Sequence, residues 1–171
     1  LGYYSRARNL HRGVQAVREQ FAGEVPSDPD ALRSLPGVGD YTAGALGSIA
    51  FQQAVPLVDG NVRRVFARLF DLEEPKPAGL RRIASELVDP ERPGDFNQAL
   101  MELGATVCTP RAPACERCPL ASECDALSAG TIELRPPRKK RASVPEKVID
   151  VAVVRVPGDP PEGAADRYLV R

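Results

Sequence analysis

All four cysteines of this 171-residue chain are crowded into one short segment. They follow the spacing C-x6-C-x2-C-x5-C, and the candidate metal ligands are Cys108, Cys115, Cys118 and Cys124. Disulfide bonds would require an oxidising compartment and would more naturally join distant segments. Zinc modules typically use two close cysteine pairs separated by a longer loop. A single C-x2-C with one further cysteine on either side suits thiolates around a 4Fe-4S cubane, with structural zinc as the alternative.

The run from Leu35 to Val65 predicts helices joined by a tight glycine hairpin. A helix ends at the start of this run, the chain turns through Gly37 and Gly39, and the next helix covers about 40–51. A further turn then leads to Asp59 at the start of another helix. The glycines let the backbone bend sharply and leave amide groups that suit an anion such as a DNA phosphate. On the two glycines alone, a ligand-free helix turn is the alternative.

Taken together, these segments resemble the helix-hairpin-helix and Gly/Pro-Asp superfamily of DNA glycosylases, which includes endonuclease III. The resemblance rests on LPGVG at 35–39, VDGNV at 58–62 and the cysteine loop at 108–124. The runs VDGNVRRV and LGYYSRARNL are similar to adenine DNA glycosylases of the MutY type, whereas endonuclease III relatives usually read Val-Asp-Thr-His. The resemblance implies a mainly α glycosylase fold with a 4Fe-4S cluster. It also implies base excision repair, in which adenine mispaired with 8-oxoguanine or guanine is hydrolysed from double-stranded DNA.

The resemblance assigns the central chemical role to Asp59. An aspartate before Gly-Asn at a helix start is also an N-cap, and the helix dipole keeps such a carboxylate ionised. A fixed anion stabilises the positive charge that develops on the sugar as the glycosidic bond breaks. Tyr41 stands where endonuclease III carries its Schiff-base lysine, so a monofunctional enzyme is expected. In some members of the MutY type, a tyrosine at this place helps to steady the reacting sugar.

The same resemblance supplies candidates for DNA contacts. Tyr3 is the candidate for a side chain that wedges into the base stack of the duplex. The other DNA-binding candidates are Gly37, Val38, Gly39, Asn61, Arg63, Arg64 and Arg111. Arginines on a solvated helix face or loop surface are the alternative for the last three.

Composition adds little about the partner. Lys plus Arg and Asp plus Glu number 23 each, so the formal net charge is zero. Hydrophobic residues make up 43% of the chain, which is enough for a buried core. No stretch is apolar enough to span a membrane. The expected protein is a monomer in the cytoplasm, associated with the nucleoid as in bacteria.

Three segments are expected along the chain. Residues 1–127 predict a partial helical glycosylase domain, 128–147 a Pro-, Lys- and Arg-rich linker, and 148–171 the first β-hairpin of a Nudix-like α/β domain. The strands of this hairpin are expected over 148–156 and from Arg167 onward.

Within the helical part, a first helix over about 5–21 is expected to turn Leu10, Val14, Val17 and Phe21 toward a core. Asp28 is expected to cap a second, short helix whose first residue is a proline. Later helices are expected over about 80–88 and 95–107, with Asp95 as the cap of the last one.

One part of the expected catalytic machinery is missing from these residues. The general acid of the MutY type is a glutamate in a segment before Leu1, together with a Gln-Gln-Thr motif. Because glycoside chemistry needs an acid as well as an anion, the 171 residues alone are expected to be inactive or nearly so. Two alternatives stay open: an endonuclease III-like glycosylase with AP lyase activity, and a non-catalytic DNA-binding module that holds a metal.

Overall fold

The structure is a computed structural model that describes residues 3–137 and the backbone of 153–156 and 167–170. The chain divides into two compact units, Leu1–Arg138 and Lys139–Arg171. The first, here called the helical unit, contains α1 (Tyr4–Gln20), α2 (Pro29–Ser34), α3 (Asp40–Ala45), α4 (Gly60–Leu69), α5 (Pro77–Leu87), α6 (Pro93–Glu102) and α7 (Asp125–Ser128). Short helices of other types are Leu46–Ala50 and Leu103–Val107, both π, and Cys115–Arg117 and Ile132–Leu134, both 3-10.

The helix starts follow local sequence signals, although two of them lie earlier than predicted. The Asp28 carboxylate accepts hydrogen bonds from the amides of Asp30 and Ala31 at 3.0 and 2.8 Å, which confirms the predicted cap. The helices predicted from about 80 and 95 begin instead at Pro77 and Pro93, because a proline's fixed φ suits the first helical turn.

Asp95 therefore lies inside α6, and its prediction as the cap of that helix is wrong. Its carboxylate pairs instead with the guanidinium of Arg92 at 2.7 Å. Gln98, the other half of the predicted capping pair, donates to the carbonyl of Gly94 at 3.1 Å.

The core of the helical unit is organised around α4. Val62 and Phe66 on this helix are almost fully buried, and their spacing places them on one face of the helix. The main core cluster consists of Leu57, Val62, Val65, Phe66, Leu80, Ala84 and Leu100. A second cluster, which joins α1 to the glycine hairpin, consists of Ala16, Leu32, Leu35 and Ala43. The catalytic candidate Asp59 is therefore attached to the best-packed helix of the unit.

The expected apolar stripe of α1 is only partly buried. Leu10 and Val14 are 70% and 61% exposed, so the prediction that they face a core is wrong. Val17 and Phe21 are partly buried and pack against the second cluster, as predicted. Close to the hairpin the contact is made by a small residue, because a Cβ on Gly13 would lie 3.2 Å from the carbonyl oxygen of Pro36.

The second unit contains an antiparallel pair of strands, β1 (Val153–Val156) and β2 (Arg167–Val170). Val153 pairs with Val170, and Val156 pairs with Arg167. Strand structure is thus confirmed where the structure describes it, whereas predicted strand residues 148–152 lie outside the described residues. The Nudix-like assignment stays a prediction. No helix in the described part of the chain is long and apolar enough to cross a bilayer.

Candidate active site and metal centre

The Asp59 carboxylate is held by two donors at the start of α4. Its Oδ1 accepts a hydrogen bond from the Val62 amide at 2.7 Å, so the predicted helix cap is confirmed. Its Oδ2 accepts one from Nδ2 of Asn61 at 3.2 Å. A carboxylate at a helix N-terminus is stabilised as an anion by the amide groups and dipole of that helix. The local sequence thus fixes the position of this group.

A pocket of about 320 Å³ opens beside this carboxylate, a volume within the roughly 300–1,000 Å³ typical of ligand sites. Asp59 and Tyr41, the two catalytic candidates, both line it. The Tyr41 side chain is 46% exposed, and its hydroxyl donates to Sδ of Met101 at 3.7 Å. The full lining is Asp40, Tyr41, Pro56, Val58, Asp59, Gly60, Arg63, Pro77, Leu80 and Arg81.

A second, more polar groove lies on the other side of Arg63. Gly60 and Arg63 line both the pocket and the groove, so Arg63 stands between them. The groove brings together three predicted DNA contacts: Arg63, Arg64 and, from the cysteine loop, Arg111. Arginines from two separate segments therefore meet beside the candidate catalytic carboxylate. Such a groove has the chemistry to accept a phosphate backbone.

The glycine hairpin depends on one of its glycines more than on the other. Gly37 has φ +85°, a left-handed conformation that favours glycine, and a Cβ there would lie 2.7 Å from Cβ of Asn9. Gly39 precedes α3 with φ −99° and open space around it, so its conformation is available to other residues. The Val38 amide already donates to the carbonyl of Leu35 at 3.0 Å.

Tyr3 lies at the N-cap of α1 and is 76% exposed. Its ring is within 5.9 Å of the Arg6 guanidinium carbon, a distance typical of a cation–π contact. Tyr3 lines neither the Asp59 pocket nor the arginine groove. Its role as a wedge stays a prediction.

Arg64 is turned toward the interior of the helical unit. Its Nε donates to the carbonyl of Cys108 at 2.7 Å, and its Nη2 donates to Oδ1 of Asn61 at 2.9 Å and to the carbonyl of Gly104. Burial lowers the pKa of Arg64, while the charges of Cys108 and Asp59 act in the opposite direction. Much of its hydrogen-bonding capacity is thus used inside the protein, and its predicted phosphate contact stays a prediction.

Arg68 was not among the predicted site residues, yet it is 2% exposed. Its Nη1 donates to the carbonyl of Thr109 at 2.7 Å and to Sγ of Cys108 at 3.4 Å. The only sequence signal is its spacing: Arg68 follows Val65 by three residues, which places it next to the apolar face of α4. A buried arginine on such a face implies internal acceptors.

The four cysteines converge on one apolar cavity and form no disulfide. Burial raises the pKa of Cys115, and the neighbouring charges of Cys108, Cys124 and Cys118 add to this effect. Four thiols that line one shared cavity match the ligand set of a 4Fe-4S cluster. The residues present therefore fit the predicted 4Fe-4S group.

Curated relatives of this chain are named adenine DNA glycosylase. The human protein is 52% identical over 132 residues, covering 74% of this chain and 24% of the human one. The protein of Mycolicibacterium smegmatis is 45% identical over 133 residues, covering 76% of this chain and 45% of its own length. The chain thus spans about a quarter of the human relative and under half of the mycobacterial one.

Solved structures with a similar fold are also DNA glycosylases or their complexes. A thermostable thymine-DNA glycosylase superposes with a TM-score of 0.67 at 33% identity, covering 72% of this chain and 58% of that one. A non-covalent endonuclease III–DNA complex superposes with a TM-score of 0.64 at 28% identity, covering 75% of this chain and 61% of that one. The mainly helical glycosylase fold predicted from the sequence is therefore confirmed.

Two family models match the chain. Residues 108–124 match the iron-sulfur binding domain of endonuclease III, which confirms the cofactor predicted from the cysteine spacing. Residues 1–90 match the HhH-GPD superfamily of base excision DNA repair proteins. This second match covers more than half of the chain and includes the hairpin and Asp59, so the chain belongs to the HhH-GPD superfamily of base excision DNA repair proteins.

Proposed function

We propose that this chain carries the base-excising site of a monofunctional adenine DNA glycosylase. The observation that carries the proposal is the Asp59 carboxylate, held by the Val62 amide and Asn61 in a pocket that it shares with Tyr41. The names of the relatives support adenine as the base. The substrate would be double-stranded DNA in which adenine is mispaired with 8-oxoguanine or guanine.

The pocket supplies an anion rather than a covalent nucleophile for sugar cleavage. Breaking the bond between adenine and deoxyribose creates positive charge on the sugar, and a pre-oriented Asp59 carboxylate stabilises that charge. Tyr41 offers a phenol, which cannot form the Schiff base required for strand cleavage. Its hydroxyl already has Met101 as a partner at 3.7 Å, and a reacting sugar would compete for it.

The pocket's other carboxylate does not suit the part of general acid. Asp40 is ion-paired with Arg81 at 3.5 Å, and both side chains are more than half exposed. A general acid must lie within hydrogen-bond reach of the group that it protonates, and this carboxylate is engaged by an arginine instead. This supports the expectation that residues 1–171 remove adenine slowly or not at all on their own.

The arginine groove, the hairpin and Tyr3 make up the proposed DNA surface. Arg63 and Arg111 would contact the phosphate backbone beside the pocket, and Asn61 a sugar or phosphate, while Tyr3 would enter the base stack. The hairpin residues 37–39 would bind phosphate at a second place on the same duplex. We propose that the protein works as a monomer, and that its cellular location is the bacterial nucleoid.

The cysteine loop is proposed to hold its 4Fe-4S cluster through all four thiolates. The ligands would be Cys108, Cys115, Cys118 and Cys124, the four that line one cavity. A cluster bound by these four residues would cross-link the loop. This would fix Arg111, three residues after the first ligand, relative to Arg63 on α4.

The test is single-turnover cleavage of a duplex with adenine opposite 8-oxoguanine, using the longest reading frame that contains this chain. Asp59→Asn is the informative variant, because asparagine caps a helix as well as aspartate does and removes only the charge. We expect alkali-dependent strand breaks in the parent protein and a loss of roughly 10²–10³-fold in the variant. Asp28→Asn, which changes a cap far from the pocket in sequence, is the matched control and should keep full activity.

The outcomes separate the remaining candidates. Strand breaks without alkali would replace the proposal with a glycosylase that also acts as an AP lyase. Folded, iron-loaded protein that binds the duplex but releases no base would identify a DNA-binding module, with Asp59 reduced to a helix cap. Equal rates for Asp59→Asn and its parent would remove Asp59 from the chemistry.

A further inference from the structure

Arg68 joins three segments of the helical unit that are distant in sequence. It projects from α4, and its Nη1 donates to the cysteine loop at Thr109 and at Sγ of Cys108. Its Nε donates to the carbonyls of Ile132 and Arg135 at 3.1 and 3.0 Å. Arg68 itself is 2% exposed, so its guanidinium is shielded from solvent. A guanidinium suits such a position, since its donors point in several fixed directions.

The segment that Arg68 holds is residues 131–137, here called the strap. These residues were expected to belong to an exposed linker, yet the structure fastens them to the end of α4. The Thr131 hydroxyl donates to Oδ1 of Asp71 at 2.6 Å. The Arg135 side chain is only 11% exposed, and its Nε lies 2.8 Å from the same carboxylate oxygen. Two side chains of the strap thus meet one aspartate.

The strap also closes the cavity of the cysteines. Ile132 lines that cavity together with the four thiols, so the strap forms part of its wall. The backbone carbonyl of Ile132 is held by Arg68, which lines the same cavity. Loosening the strap would therefore open the wall of the cluster site to water and solutes. Solvent access and hydrogen bonds to sulfur are two of the factors that set cluster properties.

We propose that Arg68 is a positioning residue for the iron–sulfur cluster and that the strap is the cover it holds over the cluster. Arg68 acts through Cys108, whose thiolate receives its N–H group, and through the strap, whose carbonyls it binds. The Asp71–Arg135 ion pair is the second interaction that holds the strap in place. This role does not depend on which base the protein excises.

The first test measures how fast the iron-loaded chain loses its cluster to a strong iron chelator, followed by visible absorbance. Asp71→Asn removes the negative charge that pairs with Arg135, while asparagine tolerates the left-handed φ of +44° at this position. We expect Asp71→Asn to have the same initial iron content as the parent. It should lose its cluster about fivefold faster, which is the effect expected when one ion pair is weakened. Glu73→Gln is the control: Glu73 is 83% exposed and meets Arg135 at 3.4 Å, so its loss should leave the rate unchanged.

The second test measures the reduction potential of the loaded cluster in Arg68→Lys and Arg68→Met. Loss of a positive donor beside a thiolate stabilises the oxidised cluster, so Arg68→Met should shift the potential to a more negative value and Arg68→Lys should recover part of the shift. If Arg68 only supported the fold, its replacement would lower the fraction of protein that holds a cluster, but the reduction potential of the clusters still bound would not change. An unchanged potential in loaded Arg68→Met would therefore overturn the proposal.

A measurement on the unaltered chain covers the case in which the Arg68 variants fail to fold. Hydrogen exchange at the amides of Leu134 and Arg135, which bond within the strap at 2.8 and 3.3 Å, is compared with and without the cluster. We expect these two amides to exchange faster when iron is removed, because the strap then no longer packs against the cluster. Equal protection in the two states, or chelation rates that are the same for Asp71→Asn and the parent, would refute the cover.

Discussion

Gly104→Ala tests whether the approach of α6 to the start of α4 positions the site. Gly104 lies in the π turn Leu103–Val107 that continues α6, and it is buried. It packs against Asn61, whose side-chain amide donates to the Asp59 carboxylate. An added Cβ would lie 2.7 Å from Cβ of Asn61 and 3.1 Å from its Cα and carbonyl carbon. Real Cβ atoms are not found that close, so the first turn of α4 must move. The Gly104 carbonyl, which accepts from Arg64, moves with it.

The magnitude follows from two opposing effects. Alanine is favoured over glycine in a helix by about 1 kcal/mol. Overpacking of a rigid contact costs about 1–3 kcal/mol, and the atoms met here belong to a backbone and a Cβ rather than to a flexible tip. We therefore expect a net loss of about 1 kcal/mol in the free energy of unfolding.

Gly79→Ala is the matched control because the same atoms are added where nothing lies within 4 Å. Gly79 is exposed in α5, so this substitution should stabilise the protein by about 0.5–1 kcal/mol. Thermal unfolding followed by circular dichroism, at equal iron loading, compares the two variants. At about 2–4 °C per kcal/mol for a chain of this size, their midpoints should differ by about 3–8 °C. Equal or reversed midpoints would show that α4 yields to the added methyl group.

The remaining predictions concern the hairpin and the groove. Gly37→Ala should lower stability by about 1 kcal/mol or more, because φ is +85° there, whereas Gly39→Ala should cost less; thermal midpoints in the opposite order would contradict this. Arg63→Gln and Arg111→Gln should each reduce the slope of log affinity against log salt by about one, measured by fluorescence anisotropy on duplex DNA. Arg82→Gln, on the exposed face of α5, should leave the slope unchanged; if it lowers the slope equally, the groove is not the phosphate site.

The features that the sequence predicted well are those set by short-range chemistry. The caps at Asp28 and Asp59 follow from a side chain and amides two or three residues away, and both are observed. The cysteine loop follows from spacing alone. Tyr41 and Asp59 are 18 positions apart, and the resemblance to a known family was needed to place them at one pocket.

The features that were missed depend on partners distant in the sequence. Arg68 finds its acceptors about 40 and 64 residues away, so no local pattern marks it as buried. Leu10 and Val14 have helical spacing, but the hairpin accepts the glycine side of α1 instead. The strap is rich in charge and proline, a composition typical of linkers. Its ion pair with Asp71 depends on the fold of α4, which composition does not report.

Helix α4 carries a carboxylate at one end and an iron-site arginine near the other. Its ten residues span about 15 Å, so Asp59 and Arg68 are attached to the same short, stiff helix. A substitution that tilts this helix would therefore affect the proposed excision site and the cluster site together. An excision assay alone would not distinguish a lost cluster from a displaced carboxylate. Variants on α4 can be classified only when iron content is measured beside excision.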